Sequence, residues 1–398
     1  MLNLTWKDEP DFGLYEELLN EKSRVYFDGV KVIKKYLADS ERLNIVERLM
    51  IRHMRLRSQE RFYSFNRDSL FRYLKECEGI HERALGYYTA REGFKESLDV
   101  TKVIRPLYEK GFAREFFNLY IQRSALRSDV SRIKGMKDRF VETKYINQEG
   151  RLLSELTFNN ERRDTGRYYT NNYNVQGISL RYTNCMTVPR DNFLVWFDFD
   201  QIDLRVAYHV LLKGDNAEHD RIFKDYEDKY EAMARIITKS TGREFNLQEF
   251  KKNRGHYKTG VLARAYGASR ATLAQDIPDK DFVEMLDMYF ENNNKYQNYV
   301  EELEKIIAFG FDVEITDYFG VSRTMPVTGS EQTMLSKGLN TPIQSTSNSI
   351  VMHVVNNIVK RFEEVGAREH ISVYMVRHDE PVFMVNIKAL EHLWIFED

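Results

Sequence analysis

The chain has 398 residues, enough for two or three domains or for one large enzyme whose parts share a cleft. Its 59 Lys and Arg against 61 Asp and Glu leave a formal charge of −2, so any site for a polyanion must be a local patch. Cys77 and Cys185 are too few for a disulfide framework or a cysteine-based zinc site, and no secretory leader or membrane-length apolar run stands out, which predicts a soluble cytoplasmic protein with no membrane partner.

In chain order, the first hundred residues read as charged amphipathic helices of a scaffold, one over 16–38 and another over 41–54 after Ser40 as cap. From 109 to 140 helical spacing continues, with Arg114, Arg123, Arg127, Arg132, Lys134, Lys137 and Arg139 beside apolar positions. A solvated face accounts for such a row in isolation; in a nucleic-acid enzyme it would track duplex phosphates. Tyr145-Ile146, the turn Asn147-Gln148-Glu149-Gly150 and Arg151-Leu152-Leu153-Ser154 predict a hairpin, followed by an Asn-rich loop over 159–174.

Phe193-Leu194-Val195-Trp196-Phe197 predicts a short buried strand, and 204–212 returns to helical spacing. Asp198 thus stands where a strand ends and a helix begins. Residues 221–310 read as helical, with breaks near Gly242, Gly267 and Ile277-Pro278. Beyond Thr316, short strands and a helix over 340–359 lead to two apolar arms, Ile371-Ser372-Val373-Tyr374-Met375-Val376 and Val382-Phe383-Met384-Val385. They flank His378-Asp379-Glu380 as a β-hairpin with the acids at its tip.

Strand ends and hairpin tips let an Asp project into a cleft from a rigidly paired backbone. Two such carboxylates, Asp198 and Asp379 with Glu380 in support, can hold two Mg²⁺ ions about 3.5–4 Å apart, the device of nucleotidyl transfer. Either acid motif alone reads as a solvated turn; their conjunction with a basic ladder points to chemistry. Arg254, Lys258, Leu262 and Tyr266 recur every fourth residue, one slowly drifting stripe of a helix. Its Arg and Lys can grip phosphate oxygens, and Tyr266 at the helix end can abut the base. Gly255 and Gly260 each weaken that helix by about 1 kcal/mol relative to Ala, which points to close approach or movement.

With these motifs assembled, roughly residues 110–385 resemble the polymerase portion of a family A DNA polymerase, the group of bacterial DNA polymerase I and many phage replicases. Asp198-Phe199-Asp200-Gln201-Ile202-Asp203-Leu204-Arg205 resembles the first catalytic motif, Arg254 to Gly267 the nucleotide-binding fingers helix, and His378-Asp379-Glu380 the second catalytic motif, all in the family's order. Thr165-Gly166-Arg167 with Asn174-Val175-Gln176 resembles its primer-template minor-groove motif. Phe319-Gly320-Val321-Ser322-Arg323 and Asn340-Thr341-Pro342-Ile343-Gln344 resemble the return to the palm.

The resemblance implies an α+β fold of right-hand polymerase architecture, with an antiparallel palm sheet and helical fingers and thumb. Its expected parts are an N-terminal helical region (1–100), thumb-like basic helices (101–150), a first palm part (151–212), fingers (213–324) and a second palm part (325–398). The implied enzyme is a DNA-directed DNA polymerase that adds dNTPs to a primer 3′-hydroxyl. Asp198, Asp379 and the backbone carbonyl of Phe199 would bind two Mg²⁺; Arg254 and Lys258 would hold the phosphates, Lys258 also protonating pyrophosphate. Leu262, Tyr266, Asp203, Gln201 and Tyr230 would complete the nucleotide site. Arg167, Asn174, Gln176, Asn340, Gln344 and His378 would contact primer-template DNA. If the chain is phage-encoded, its compartment is the bacterial host's cytoplasm.

Departures from the family pattern are local. Asp203 stands for the usual Glu beneath the sugar 2′ position, and Leu262 for an aromatic residue, which predicts weaker sugar discrimination. Tyr230 takes the place of a phosphate-contacting His, and Ser336 that of an Arg, with Lys337 adjacent. The chain stops soon after the second acid motif, so either the palm closes differently or a second polypeptide completes it. No paired-acid exonuclease motif precedes the basic helix, Asp8-Glu9 reading as a surface pair, which predicts no proofreading. Two other classes remain: a single-subunit RNA polymerase or primase-like enzyme, against which Asp203 in its Gln201-to-Arg205 setting argues, and a catalytically silent nucleic-acid-binding scaffold.

Overall fold

A computed structural model describes residues 11–20, 24–58, 66–89, 93–156, 160–162, 165–170, 173–214, 216–326 and 328–397; Asp8 and Glu9 lie outside them. The chain divides into two compact units, one of Val25–Thr157 and Gly177–Arg190, the other of Met1–Arg24, Phe158–Gln176 and Asp191–Asp398. Most of the segment expected as an N-terminal helical region therefore shares a unit with the basic helices of 101–150.

In the first unit, the helix expected over 16–38 is replaced by a strand, Val25–Phe27, preceded by the helix Phe12–Asn20 of the other unit. A β-branched residue and two aromatics suit a pleated, buried position better than a helix. All three are buried and pair antiparallel with Ser154–Leu156 on one side, and Tyr26 and Phe27 also with Met186–Thr187 on the other. Asp28, not Ser40, then caps a single helix, Gly29–Arg57, by accepting the Lys31 amide at 3.0 Å. That helix packs along Arg114–Lys137, the basic helix expected over 109–140. Buried Asp39 and Asp129 both take the Arg181 guanidinium, at 3.1 and 3.2 Å, and Asp39 also accepts the Tyr182 hydroxyl at 2.8 Å. The hairpin forms as expected: Asn147 Oδ1 accepts the amides of Glu149 and Arg151 at 3.0 and 2.9 Å, and Gly150 takes the left-handed conformation, φ 75°.

The second unit is built on an antiparallel sheet in the order Ile371–Arg377, Glu380–Asn386, Asn192–Trp196. Its arms are apolar because one face packs on the helix Glu331–Glu364, where Val351, Met352, Val355 and Phe362 meet Val373, Phe383 and Val385. That helix is longer than the 340–359 expected and runs through Pro342. Proline lacks the amide that would serve the Gly338 carbonyl. The Tyr299 hydroxyl donates to that carbonyl instead, at 3.4 Å.

The expected helical stretch of 221–310 is a cluster of short helices with breaks where glycine and proline predicted them. Lys229–Ser240, Leu247–Ala265, Lys280–Glu291 and Asn294–Ala308 share a core that includes Ile236, Tyr257, Val261, Phe282, Leu286 and Phe290. Gly260 explains one close approach: a Cβ there would lie 2.8 Å from Leu286, 2.9 Å from Ile277 and 3.0 Å from Phe282. Gly255 faces open space. Among the described residues, no helix is long and apolar enough to cross a membrane.

Candidate active site

Asn192–Trp196 lies antiparallel to Glu380–Asn386 with Trp196 opposite Val382, so the chain leaving the first strand runs back toward the start of the second. Strand pairing thereby delivers Asp198 to the hairpin tip. The Phe199 amide donates to the Asp379 carbonyl at 3.5 Å and joins the two acid motifs directly. Arg377 pairs with Glu380, which leaves His378 and Asp379 as a two-residue turn, and His378 takes the positive φ (60°) such a turn requires. Gln201, just past Asp198, is also left-handed, φ 56°. Backbone strain of this kind, of order 1 kcal/mol or more per residue, gathers where a side chain must be aimed.

Burial raises the Asp379 carboxyl above the ordinary range; a backbone hydrogen bond and Arg167 oppose this, while the charges of Asp198 and Asp203 add to it. Glu380 is raised likewise, first by burial and then by Asp198 and Asp379 against the opposing Arg377. These carboxylates therefore repel one another across a small space, as expected of a site that awaits positive charge. The donors are hard oxygens, which suit Mg²⁺. Among the described residues, no three His, Cys, Asp or Glu side chains form a self-sufficient metal cluster.

The basic stripe lies on Leu247–Ala265, whose first turn is capped by Asn246 through the amides of Gln248 and Glu249 at 3.0 and 3.1 Å. Arg254 and Lys258 are exposed, and Leu262 and Tyr266 half-buried. Both cations stand over the ring of Tyr230, at 5.6 and 5.8 Å from its centroid. Tyr230 is itself only 2% exposed, and its amide donates to Gln201 Oε1 at 3.2 Å. Tyr230, expected at the nucleotide, is thus buried beneath the Arg254 and Lys258 side chains. Arg254 is also held by Asp228, Nε to Oδ2 at 2.6 Å and Nη2 to Oδ1 at 3.2 Å. Asp228 was not singled out in the sequence, although its place as N-cap of Lys229–Ser240 is legible there.

Asp203 is the most connected acid of the site. Arg167 Nη2 lies 2.8 and 2.9 Å from its two oxygens, Ser347 Oγ donates to Oδ1 at 2.9 Å, and the Tyr266 hydroxyl donates to Oδ2 at 3.3 Å. Burial and this carboxylate together hold the Tyr266 phenol well above its usual range. Arg167 follows Gly166, which is left-handed at φ +81° and so close to Arg323 that a Cβ would lie 2.5 Å from Nη2.

The sequence model of DNA polymerase family A matches residues 129–394, well over half of the chain. The chain belongs to DNA polymerase family A. Among solved structures, the POL domain of Pol1 from M. smegmatis, in complex with DNA primer-template and dNTP, matches with a TM-score of 0.71 at 17% identity, over 95% of this chain and 63% of that one. The fold is thereby the α+β right-hand fold of polymerases, and this family A chain spans about 63% of the length of that structure. No curated protein matches it.

The residues expected at primer-template DNA do not all sit alike in this family A chain. His378 and Asn174 are exposed, and Asn340 and Gln344 are half-buried one turn apart on Glu331–Glu364. Asn340 Oδ1 is buried and takes no hydrogen bond. Gln176 is only 5% exposed, and its amide nitrogen donates to the Tyr168 and Val376 carbonyls at 2.8 and 2.9 Å. It ties its own segment to the acid-bearing hairpin.

Proposed function

We propose that the protein is a template-directed DNA polymerase that adds dNTPs to a primer 3′-hydroxyl with two Mg²⁺ ions, and that it extends without excising. The observation that carries this reading is the Phe199–Asp379 backbone contact, which sets two acid-bearing strand ends side by side. Asp198, Asp379 and the Phe199 carbonyl would hold the ions, with Glu380 beside them. When bound, such ions activate the attacking hydroxyl and neutralise charge on the leaving pyrophosphate. Water and phosphate oxygens ordinarily complete Mg²⁺ coordination, consistent with so few protein ligands.

This chain's own residues do the rest. Arg254 and Lys258 project from one helix face onto the β and γ phosphates, backed by Tyr230, and Lys258 hands a proton to pyrophosphate. Arg254 exchanges Asp228 for phosphate as the nucleotide enters. Tyr266 and Leu262 pack against the base and sugar, Gln201 holds Tyr230, and Asp203 bars the 2′ position. Arg167, Asn174, Asn340, Gln344 and His378 line the primer-template, with Gln176 as support. In the same reading, the unit of Val25–Thr157 and Gly177–Arg190 serves as thumb, and the other as palm and fingers.

Primer extension with Mg²⁺ tests the proposal. Elongation is expected with dNTPs on a primed template, and a mismatched primer end is expected to persist. Synthesis from rNTPs on an unprimed template would instead identify an RNA polymerase or primase-like enzyme, and DNA binding without extension a silent scaffold.

A further inference from the structure

We propose that Ser347 is a positioning residue for sugar selection: its hydroxyl fixes the Asp203 carboxylate as the barrier against a ribose 2′-hydroxyl. The inference rests on the polymerase reading above. It starts from a polar run buried within a helix: Thr341, Ser345, Thr346, Ser347, Asn348 and Ser349 are each at most 5% exposed. Buried polar groups require partners. Ser345 and Ser349 both donate to Asp317 Oδ2 at 2.9 Å, Thr346 accepts the Tyr318 amide at 3.1 Å, and Asn348 donates to the Gly166 carbonyl at 2.8 Å. Ser347 alone of this run reaches the first acid motif, through Asp203.

A helical Ser or Thr commonly returns its hydroxyl to the carbonyl one turn back, as Thr341 does to Lys337 at 2.8 Å. Ser347 donates across the site instead. Of the groups on Asp203, Arg167 and Tyr266 are the ones a primer end and an incoming nucleotide would engage, and the Tyr266 contact is already long at 3.3 Å. Ser347, 1% exposed on a packed helix, has no such competitor. Its bond therefore persists when the others exchange. A carboxylate one methylene shorter than the family's Glu needs that anchor: pinned, it keeps one orientation as a barrier; released, it can turn and accept a hydrogen bond from a 2′-hydroxyl.

The test compares kcat/KM for one dNTP and the matching rNTP in the full chain on primed DNA, for wild type, S347A, S347T, D203A and the D203A/S347A double variant. The preference for dNTP is expected to fall about tenfold or more in S347A, the scale of a lost hydrogen bond to a charged group. It should recover in part in S347T and fall no further when S347A is added to D203A, the signature of action through Asp203. S349A, which removes a hydroxyl from the same helix that serves Asp317, is expected to leave the preference at the wild-type value. A wild-type preference in S347A, or an equal fall with and without Asp203, overturns the inference while the polymerase reading stands. Wild-type protein that extends with neither nucleotide overturns both.

Discussion

The Phe199 amide donates to the Asp379 carbonyl at 3.5 Å, a bond between segments far apart in sequence that meet only because Asn192–Trp196 pairs with Glu380–Asn386. Through it, the position of one acid is set by the backbone of the other. The sheet holds them together against their mutual repulsion.

Burial of Asp379, to which the charges of Asp198 and Asp203 add, has a measurable consequence. Because the Asp379 carboxyl titrates above the ordinary range, the folded protein keeps a proton there that the unfolded chain has already lost. Ionisation then costs folding stability, which decreases as pH rises from the ordinary carboxylate value through the raised one. Asp379→Asn is expected to flatten this slope and to raise the melting temperature of the metal-free protein at neutral pH by about 1–3 °C. Mg²⁺ should stabilise wild type and not the variant. Calorimetry across pH, with and without Mg²⁺, checks both expectations, and a metal-free variant less stable than wild type contradicts them.

In the proposed phosphate grip, the ring and the hydroxyl of Tyr230 can be separated. Tyr230→Phe keeps the face on which Arg254 and Lys258 rest and should leave the KM for dNTP within about twofold of wild type. Tyr230→Leu removes two cation–π contacts worth about 0.5–1 kcal/mol each and should raise that KM roughly fivefold. Steady-state extension kinetics decide it; a large effect of the Phe variant would assign a role to the hydroxyl.

Two glycines of one helix should respond oppositely. Gly255 faces open space, and Gly255→Ala is expected to stabilise the protein by up to about 1 kcal/mol through helix propensity. Gly260→Ala forces a methyl among Leu286, Ile277 and Phe282 and should destabilise by about 1–3 kcal/mol. Chemical denaturation of both variants gives the comparison.

What the sequence disclosed follows from the range of each signal. The hairpin of His378-Asp379-Glu380, the strand before Asp198 and the stripe from Arg254 to Tyr266 are local periodicities. The strand Val25–Phe27 is not: three residues carry little pattern, and their partners lie at 152–156 and 186–187. Tyr230, expected at the nucleotide, is only 2% exposed, a burial set by core partners distant in sequence. Ser347 lay unremarked in a run of small polar residues, because its partner is 144 residues away. Gln176, expected at primer-template DNA, is buried with its amide nitrogen on the Tyr168 and Val376 carbonyls, the second of them 200 residues away in sequence.

In the proposed reading, Asp198 and Asp379 together perform nucleotidyl transfer. Single-turnover primer extension by Asp198→Asn and Asp379→Asn, measured beside their affinity for the same primer-template, tests it most directly. Each variant is predicted to lose about 10³-fold or more in extension rate while binding DNA within about threefold of wild type. Extension near the wild-type rate by either variant would contradict the account.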